Sequence, residues 1–285
     1  MTAQRLLKLL VVTDIYASLI SVAVPLIAAT QLGIPLTPLA ASLVFFQSLS
    51  IYALNRQVDQ EIDSTNNPER TRFVLTNGRI ILLIALAGFL ISMFYAFQAS
   101  MPAFLLLSAN FIASLFYSFP VFPRRLGFTR FKDVLIGKNL CVGAMYAAYS
   151  FLPALFAGAP LGFGAASIAL FMLARFFIVS TVFDLRDVEG DSRLGIKTIP
   201  VAFGRGATLL WLHALNAASL ALVFISCAFG ALPPAFALPA SATALFALYY
   251  LLQSGRAGAD LRFICGIVAE ADIVPAAIAA MLLTY

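Results

Sequence analysis

The run IILLIALAGFLISMFYAFQ, residues 80–98, contains no charged side chain. A helix crossing the hydrocarbon core of a bilayer needs about 20 mostly apolar residues, and this run supplies them. Eight further stretches have the same character, at roughly 9–30, 37–54, 101–118, 134–156, 163–183, 207–229, 232–252 and 264–284. Gly33, Pro35, Pro102, Gly158, Pro160, Pro233 and Pro234 punctuate the turns between several of them. Composition agrees: 62% of the residues are hydrophobic and 11% charged, against roughly 45–50% and about 25% in soluble domains. The chain reads as one all-α domain over 1–285, a polytopic membrane protein with nine transmembrane helices bundled around a central cavity.

Lys and Arg are missing from 31–36, 99–100, 157–162 and 230–231, and concentrate in 55–79, 119–133, 184–206 and 253–263. The positive-inside rule then places the N-terminus and every long polar loop in the cytoplasm, with the protein integral to the inner (plasma) membrane. The net charge of +5 follows this topology, so it does not indicate a nucleic-acid partner. Arg5 and Lys8 lead straight into an apolar span without a small-residue cleavage site, so no cleavable signal is expected. Cys141, Cys227 and Cys265 are scattered through apolar stretches and form neither a disulfide framework nor a zinc site. The lone His213 reads as packed or interfacial.

Two acidic sets stand out against this background. Asn55, Asp59 and Asp63 follow the second span; Asp184, Asp187 and Asp191 follow the sixth. Spacings of three or four stack each set along one helix face. Asn and Asp offer hard oxygen ligands, and Mg²⁺ takes one or two carboxylates together with waters and phosphates. A solvated helix end, or an acidic loop offsetting nearby bases, is the plainer alternative. It leaves unexplained why the pattern recurs, and why like charges gather so closely without a cation between them. Facing one another, the two sets would cage Mg²⁺ and a diphosphate. Each closes an even-numbered helix, so the first eight helices read as two pseudo-repeated four-helix halves.

Arg70, Arg72, Lys132, Lys138, Arg186, Arg193 and Lys197 flank these runs and suit phosphate oxygens. Taken singly, most also satisfy the positive-inside rule. Lys138 and Asn139 begin inside a span. Asp14, Arg175, Glu270 and Asp272 also fall within spans, where charge is costly and functional by default. They are expected to line one polar cavity; the alternative is that Arg175 pairs with Asp14, Glu270 or Asp272 to hold helices together. Most of the 26 phenylalanines pack against lipid or other helices. Tyr52, Phe116, Tyr117, Tyr146 and Tyr149 are the rings positioned to face a carbocation.

The sequence resembles the UbiA-type family of intramembrane prenyltransferases, which carry Asn-x-x-x-Asp-x-x-x-Asp after the second helix and Asp-x-x-x-Asp after the sixth. Asn55, Asp59 and Asp63 match the first motif; Asp187 and Asp191 match the second, with Asp184 one turn upstream. The run Asp187-Val-Glu-Gly-Asp191-Ser-Arg-Leu-Gly-Ile-Lys-Thr-Ile-Pro is similar too, as is Tyr117-Ser-Phe-Pro120 leading to Lys138-Asn139. Two departures occur. Arg56 stands where many members have Asp, and Tyr117 is followed by Arg124 and Arg125 instead of a Lys one helical turn on.

The resemblance implies Mg²⁺-dependent transfer of a polyprenyl chain from an allylic polyprenyl diphosphate to a lipophilic acceptor, whether aromatic, tetrapyrrole or glycerolipid. Membrane lipids surround the chain, and no obligate protein partner is expected. Asp59, Asp63, Asp187 and Asp191 would be catalytic, holding the metal with Asn55 and Asp184. Asn55, Arg72, Lys132, Lys138, Asn139, Arg186, Lys197 and Tyr117 would bind substrate. The Gly-Asp-x-x-x-Gly-Ile-Lys-Thr run leans towards the tetrapyrrole and glycerolipid branches. A terpene cyclase-like enzyme shares the ionisation step. A cation-coupled transporter fits less well, because its sites lie near the bilayer midplane. A CDP-alcohol phosphatidyltransferase would need an Asp-Gly then Ala-Arg signature that is absent.

Overall fold

The computed structural model describes residues 3–284, the side chains of Ala3, Glu61, Ile62, Glu69 and Thr284 excepted. The two ends of the expected 1–285 domain lie outside them. The chain runs through α1 (Ala3–Val12), α2 (Ile15–Ser21), α3 (Ala23–Leu32), α4 (Pro38–Val58), α5 (Gln60–Asn66), α6 (Pro68–Ala99), α7 (Met101–Ser118), α8 (Gly137–Tyr149), α9 (Leu152–Ala157), α10 (Phe163–Arg193), α11 (Ile199–Ala228), α12 (Ala237–Gly255), α13 (Leu261–Phe263) and α14 (Val274–Thr284). No strand occurs among the described residues. These helices build nine segments long and apolar enough to cross a membrane, so the all-α, nine-span expectation holds there.

Local chemistry sets the boundaries. Thr37 caps α4 by accepting the Ala40 N–H at 3.2 Å, with Pro38 in the first turn. Ser100 does the same for α7 through the Ala103 N–H at 3.3 Å. Gly33 and Gly158 end α3 and α9 in the left-handed conformation at φ 64°.

Several spans run longer than hydropathy alone indicates. The segment expected at 80–98 is the distal part of α6, which starts at Pro68. Proline has no N–H to lose in a first turn, so the helix forms well before its apolar stretch begins. The span expected at 163–183 continues to Arg193, carrying the whole second acidic set on helix. The span expected at 207–229 begins at Ile199 and kinks at Gly204, whose φ of 79° and ψ of 160° suit glycine. The first expected span, 9–30, is not one helix. Asp14, at φ 60°, breaks it between α1 and α2.

Ile27, Leu43, Leu107, Phe171, Met172 and Phe236 centre the buried core. Leu83, Leu90 and Phe94 on α6 are between 60% and 68% exposed, which suits contact with acyl chains. Helices α8 and α10 approach closely at Gly143, where an added Cβ would lie 2.6 Å from the Leu173 carbonyl oxygen. That close approach brings the Lys138–Asn139 end of α8 onto Asp184.

Arg175 and Asp272 do not line the cavity described below, contrary to the shared-cavity expectation; the alternative of a helix-holding pair is the one realised. Arg175 is fully buried, and its Nε and Nη2 donate to Asp272 at 2.7 and 2.6 Å. The Tyr250 hydroxyl donates to the same carboxylate at 2.9 Å, and Arg175 Nη1 reaches Asn216. Four spans therefore meet on one ion pair. Removing one partner of a buried pair strands the other charge, whereas replacing both with apolar groups is often neutral. Arg175→Met should thus cost about 3–5 kcal/mol of stability, and Arg175→Met combined with Asp272→Leu should recover most of it. Thermal unfolding of the purified variants in detergent distinguishes the two outcomes.

Candidate active site

The two acidic sets reach one cavity by different routes. Asn55 lies in the last turn of α4, Asp59 at the junction with α5, and Asp63 within α5. The expected single helix is bent, since Asp59 has φ −99° and ψ 20°. The hydrogen-bond ladder nevertheless carries through: the Asp59 N–H reaches the Asn55 carbonyl at 2.9 Å, and the Asp63 N–H reaches that of Asp59 at 2.8 Å. Asp184, Asp187 and Asp191 remain on α10, as their spacing predicts. Gly190 lets α10 pass against α5; an added Cβ there would overlap the side chain of Asn66.

All six residues line a cavity of about 440 Å³. Lys132, Lys138, Arg186 and Tyr117 line it with them. Asn139 lies just behind, donating to Asp184 at 3.0 Å and Ser180 at 3.1 Å. Arg72 and Lys197, expected as substrate ligands, are exposed and outside the lining. Arg72 lies near the start of α6, and Lys197 sits in the α10–α11 connection. Neither position is legible from sequence proximity to the motifs.

Nearly every carboxylate here has a cation against it. Lys132 donates to both oxygens of Asp59, and Arg130 reaches the same group at 3.3 Å. Lys138 pairs with Asp184. Arg56 holds Asp63 at 3.1 Å and lies 3.6 Å from Asp14, which Arg70 also binds. Arg186 grips Asp187 through two bonds of 2.7 Å. Asn66 donates to Asp191 at 3.2 Å. Thus Arg56, a departure from the family pattern, supplies a fixed positive charge beside the first motif.

The loop between α7 and α8 delivers Lys132. Asp133 anchors it by accepting from Arg130 Nε at 2.9 Å and from Thr129 Oγ1 at 2.9 Å. Burial alone would raise the Asp133 carboxyl, but these hydrogen bonds hold it below the usual range. Burial pushes the Lys132 ammonium below its ordinary value, with Asp59 opposing.

Tyr52, Val142, Tyr146, Phe176 and Val179 supply the less polar lining. The Tyr52 and Tyr146 hydroxyls are 2.6 Å apart, and Tyr146 stacks on Phe176 with centroids at 3.6 Å. Phe116 instead faces outward at 39% exposure, and Tyr149 is buried against Ser48. Sequence reading missed Phe176, Asn66, Arg130 and Asp133. A Thr-Arg-x-x-Asp run was the available hint for the last two.

The donor set suits a hard cation. It is all oxygen, and Asp191 Oδ2 and Asn139 Oδ1 are buried without hydrogen-bond partners. No three His, Cys, Asp or Glu side chains among the described residues converge tightly enough to hold an ion unaided. That agrees with Mg²⁺ chemistry, in which waters and phosphates complete the coordination sphere.

A family model described as the UbiA prenyltransferase family matches residues 18–268. Digeranylgeranylglyceryl phosphate synthase of Methanopyrus kandleri is 29% identical over 190 residues, 64% of this chain but only 62% of that relative's length. The protein of the same name from Methanobrevibacter smithii is 28% identical over 229 residues, 75% of this chain and 72% of its own. Among solved structures, a UbiA homologue from Aeropyrum pernix K1 superposes with a TM-score of 0.64 at 16% identity, covering 94% of this chain and 95% of that one. A homologue from Archaeoglobus fulgidus bound to DMAPP and Mg²⁺ gives 0.61 at 18% identity, covering 96% and 99%. The structural likenesses establish the fold.

If the two acidic sets share a metal and a diphosphate, those ligands together should raise the thermal midpoint by several degrees; a ligand at 100 times its Kd contributes about 2.7 kcal/mol. Asp191→Asn should shrink the shift by at least half. Differential scanning fluorimetry with Mg²⁺ and inorganic pyrophosphate measures both.

Proposed function

The chain belongs to the UbiA prenyltransferase family, and on that premise we propose that it moves a polyprenyl group from an allylic diphosphate to a lipophilic glycerol-phosphate acceptor. One observation carries the reading. The two acidic motifs, Asn55–Asp63 and Asp184–Asp191, line a single cavity that also holds seven basic side chains and an aromatic wall. The relatives' shared name supports the acceptor: a glyceryl phosphate bearing two geranylgeranyl groups, less one such group, leaves a singly prenylated glycerol phosphate.

Mg²⁺, held by Asp59, Asp63, Asp187 and Asp191 with Asn55 and Asp184, would neutralise the diphosphate and stabilise the charge it gains on leaving. The side chains do the rest. Lys132, Lys138 and Arg186 exchange a carboxylate partner for phosphate oxygens as the diphosphate enters. They then face negative charge that grows as the allylic C–O bond lengthens, the step at which fixed electrostatics contribute most. The faces of Tyr146 and Phe176 attract the developing allylic cation. The surrounding helices keep water from it. The polyprenyl tail leaves the cavity between spans into the acyl chains. The loop charges support a cavity mouth on the cytoplasmic side of the inner membrane.

Asp59→Ala or Asp187→Ala should lower transfer by about 100-fold or more, comparable to losing a principal electrostatic stabiliser. The assay supplies geranylgeranyl diphosphate, geranylgeranylglyceryl phosphate and Mg²⁺, with products identified by mass spectrometry. Full retained activity in either variant removes the proposal. Products that contain no acceptor support the cyclase-like reading instead.

A further inference from the structure

Glu270 lines the same cavity, yet no hydrogen bond or ion pair among the described residues holds its carboxylate. It differs in this from the other acidic side chains there, each held by a basic group or, for Asp191, by Asn66. An unpaired carboxylate inside a span is costly and calls for a role. Its backbone is also unusual: the six residues before it, Ile264–Ala269, form a π-helical turn, a feature that re-aims side chains and recurs at functional sites. The Tyr16 hydroxyl ties that turn to α2 by donating to the Ile267 carbonyl at 3.0 Å.

The groups facing Glu270 come from several elements. Asp14, the one non-glycine residue with positive φ among those described, stands across from it at the α1–α2 break. Arg56 from α4, Arg70 from α6 and Arg186 from α10 lie within electrostatic reach, and Tyr16 and Tyr52 border it. Asp14 is already engaged by two guanidiniums. Glu270 is therefore the carboxylate on this wall free to accept a proton.

The geometry points to Glu270 as the acceptor-side base, which receives the hydroxyl proton of a glycerol-type alcohol as that oxygen attacks the prenyl group. This inference rests on the transfer reaction proposed above. The allylic carbon–oxygen bond breaks and its electron pair stays with the diphosphate. A lone pair of the acceptor oxygen forms the new ether bond. The proton on that oxygen passes to a Glu270 carboxylate oxygen and later to water. Without such a base a positively charged oxonium would build up beside Arg56 and Arg70, and capture of the cation by water would compete.

The test counts released diphosphate and ether product in one reaction of the full chain with geranylgeranyl diphosphate, geranylgeranylglyceryl phosphate and Mg²⁺. The parent should give a ratio near one. Glu270→Gln should lower ether formation about 100-fold or more, in line with loss of a general base, while the ratio of diphosphate to ether rises at least tenfold. Glu270→Asp, which keeps the carboxylate, should bring the ratio back towards one, and it carries the test if Glu270→Gln does not fold. Ether and diphosphate falling together at an unchanged ratio overturns the assignment, as does transfer within twofold of the parent. A parent that releases no diphosphate with Mg²⁺ overturns the transfer reaction itself and this assignment with it.

Discussion

A charge taken out of water must be matched by another, and that requirement shapes this molecule at two depths. Away from the cavity it produces the closed set of Arg175, Asp272, Asn216 and Tyr250, in which the groups bond one another. In the cavity it produces Lys132 on Asp59, Lys138 on Asp184 and Arg186 on Asp187, which remain within reach of an entering ligand. The first set fixes helices. Under the proposed transfer, the second would supply the charges that a diphosphate and its metal need, already paired, so that binding exchanges partners without exposing a bare ion.

The helices serve that arrangement through local details. The bend at Asp59 turns α5 towards α10 while the backbone ladder continues. Gly190 and Gly143 let α10 pass close to α5 and α8, and those contacts hold Asn66, Lys138 and Asn139 against the second acidic set. Asp133 braces the loop that presents Lys132. A motif written along the chain as spacing thus becomes a site only through contacts that spacing does not specify.

What the sequence made legible was therefore what is local. Apolar runs announce the nine spans because lipid solvates them whatever their neighbours are. The second acidic set could be read as one face because α10 is straight through Asp191. The first could not, because the bend at Asp59 depends on how α5 packs. Arg72 and Lys197 lie close in sequence to the cavity-lining Arg70 and Ile196, but closeness along the chain does not say which way a side chain points. The partner of Arg175 lies 97 residues away, and nothing local in the sequence chooses among Asp14, Glu270 and Asp272. Phe176 is one phenylalanine among 26, and only its stacking on Tyr146 sets it apart.

Helices α6, α10 and α11 have 32, 31 and 30 residues. At 1.5 Å per residue α6 and α10 span about 48 and 46 Å, against a hydrocarbon thickness of about 30 Å; α11 is broken by its kink at Gly204. The surplus of α6 and α10 falls at the end bearing Pro68 and Asp191, both on the cavity wall. On the proposed function, this surplus would raise the reaction chamber out of the oily interior towards the lipid headgroups. The proposed prenyl diphosphate could then dock with its phosphates still wet and its chain still dissolved in fat, and neither half would cross into the wrong solvent.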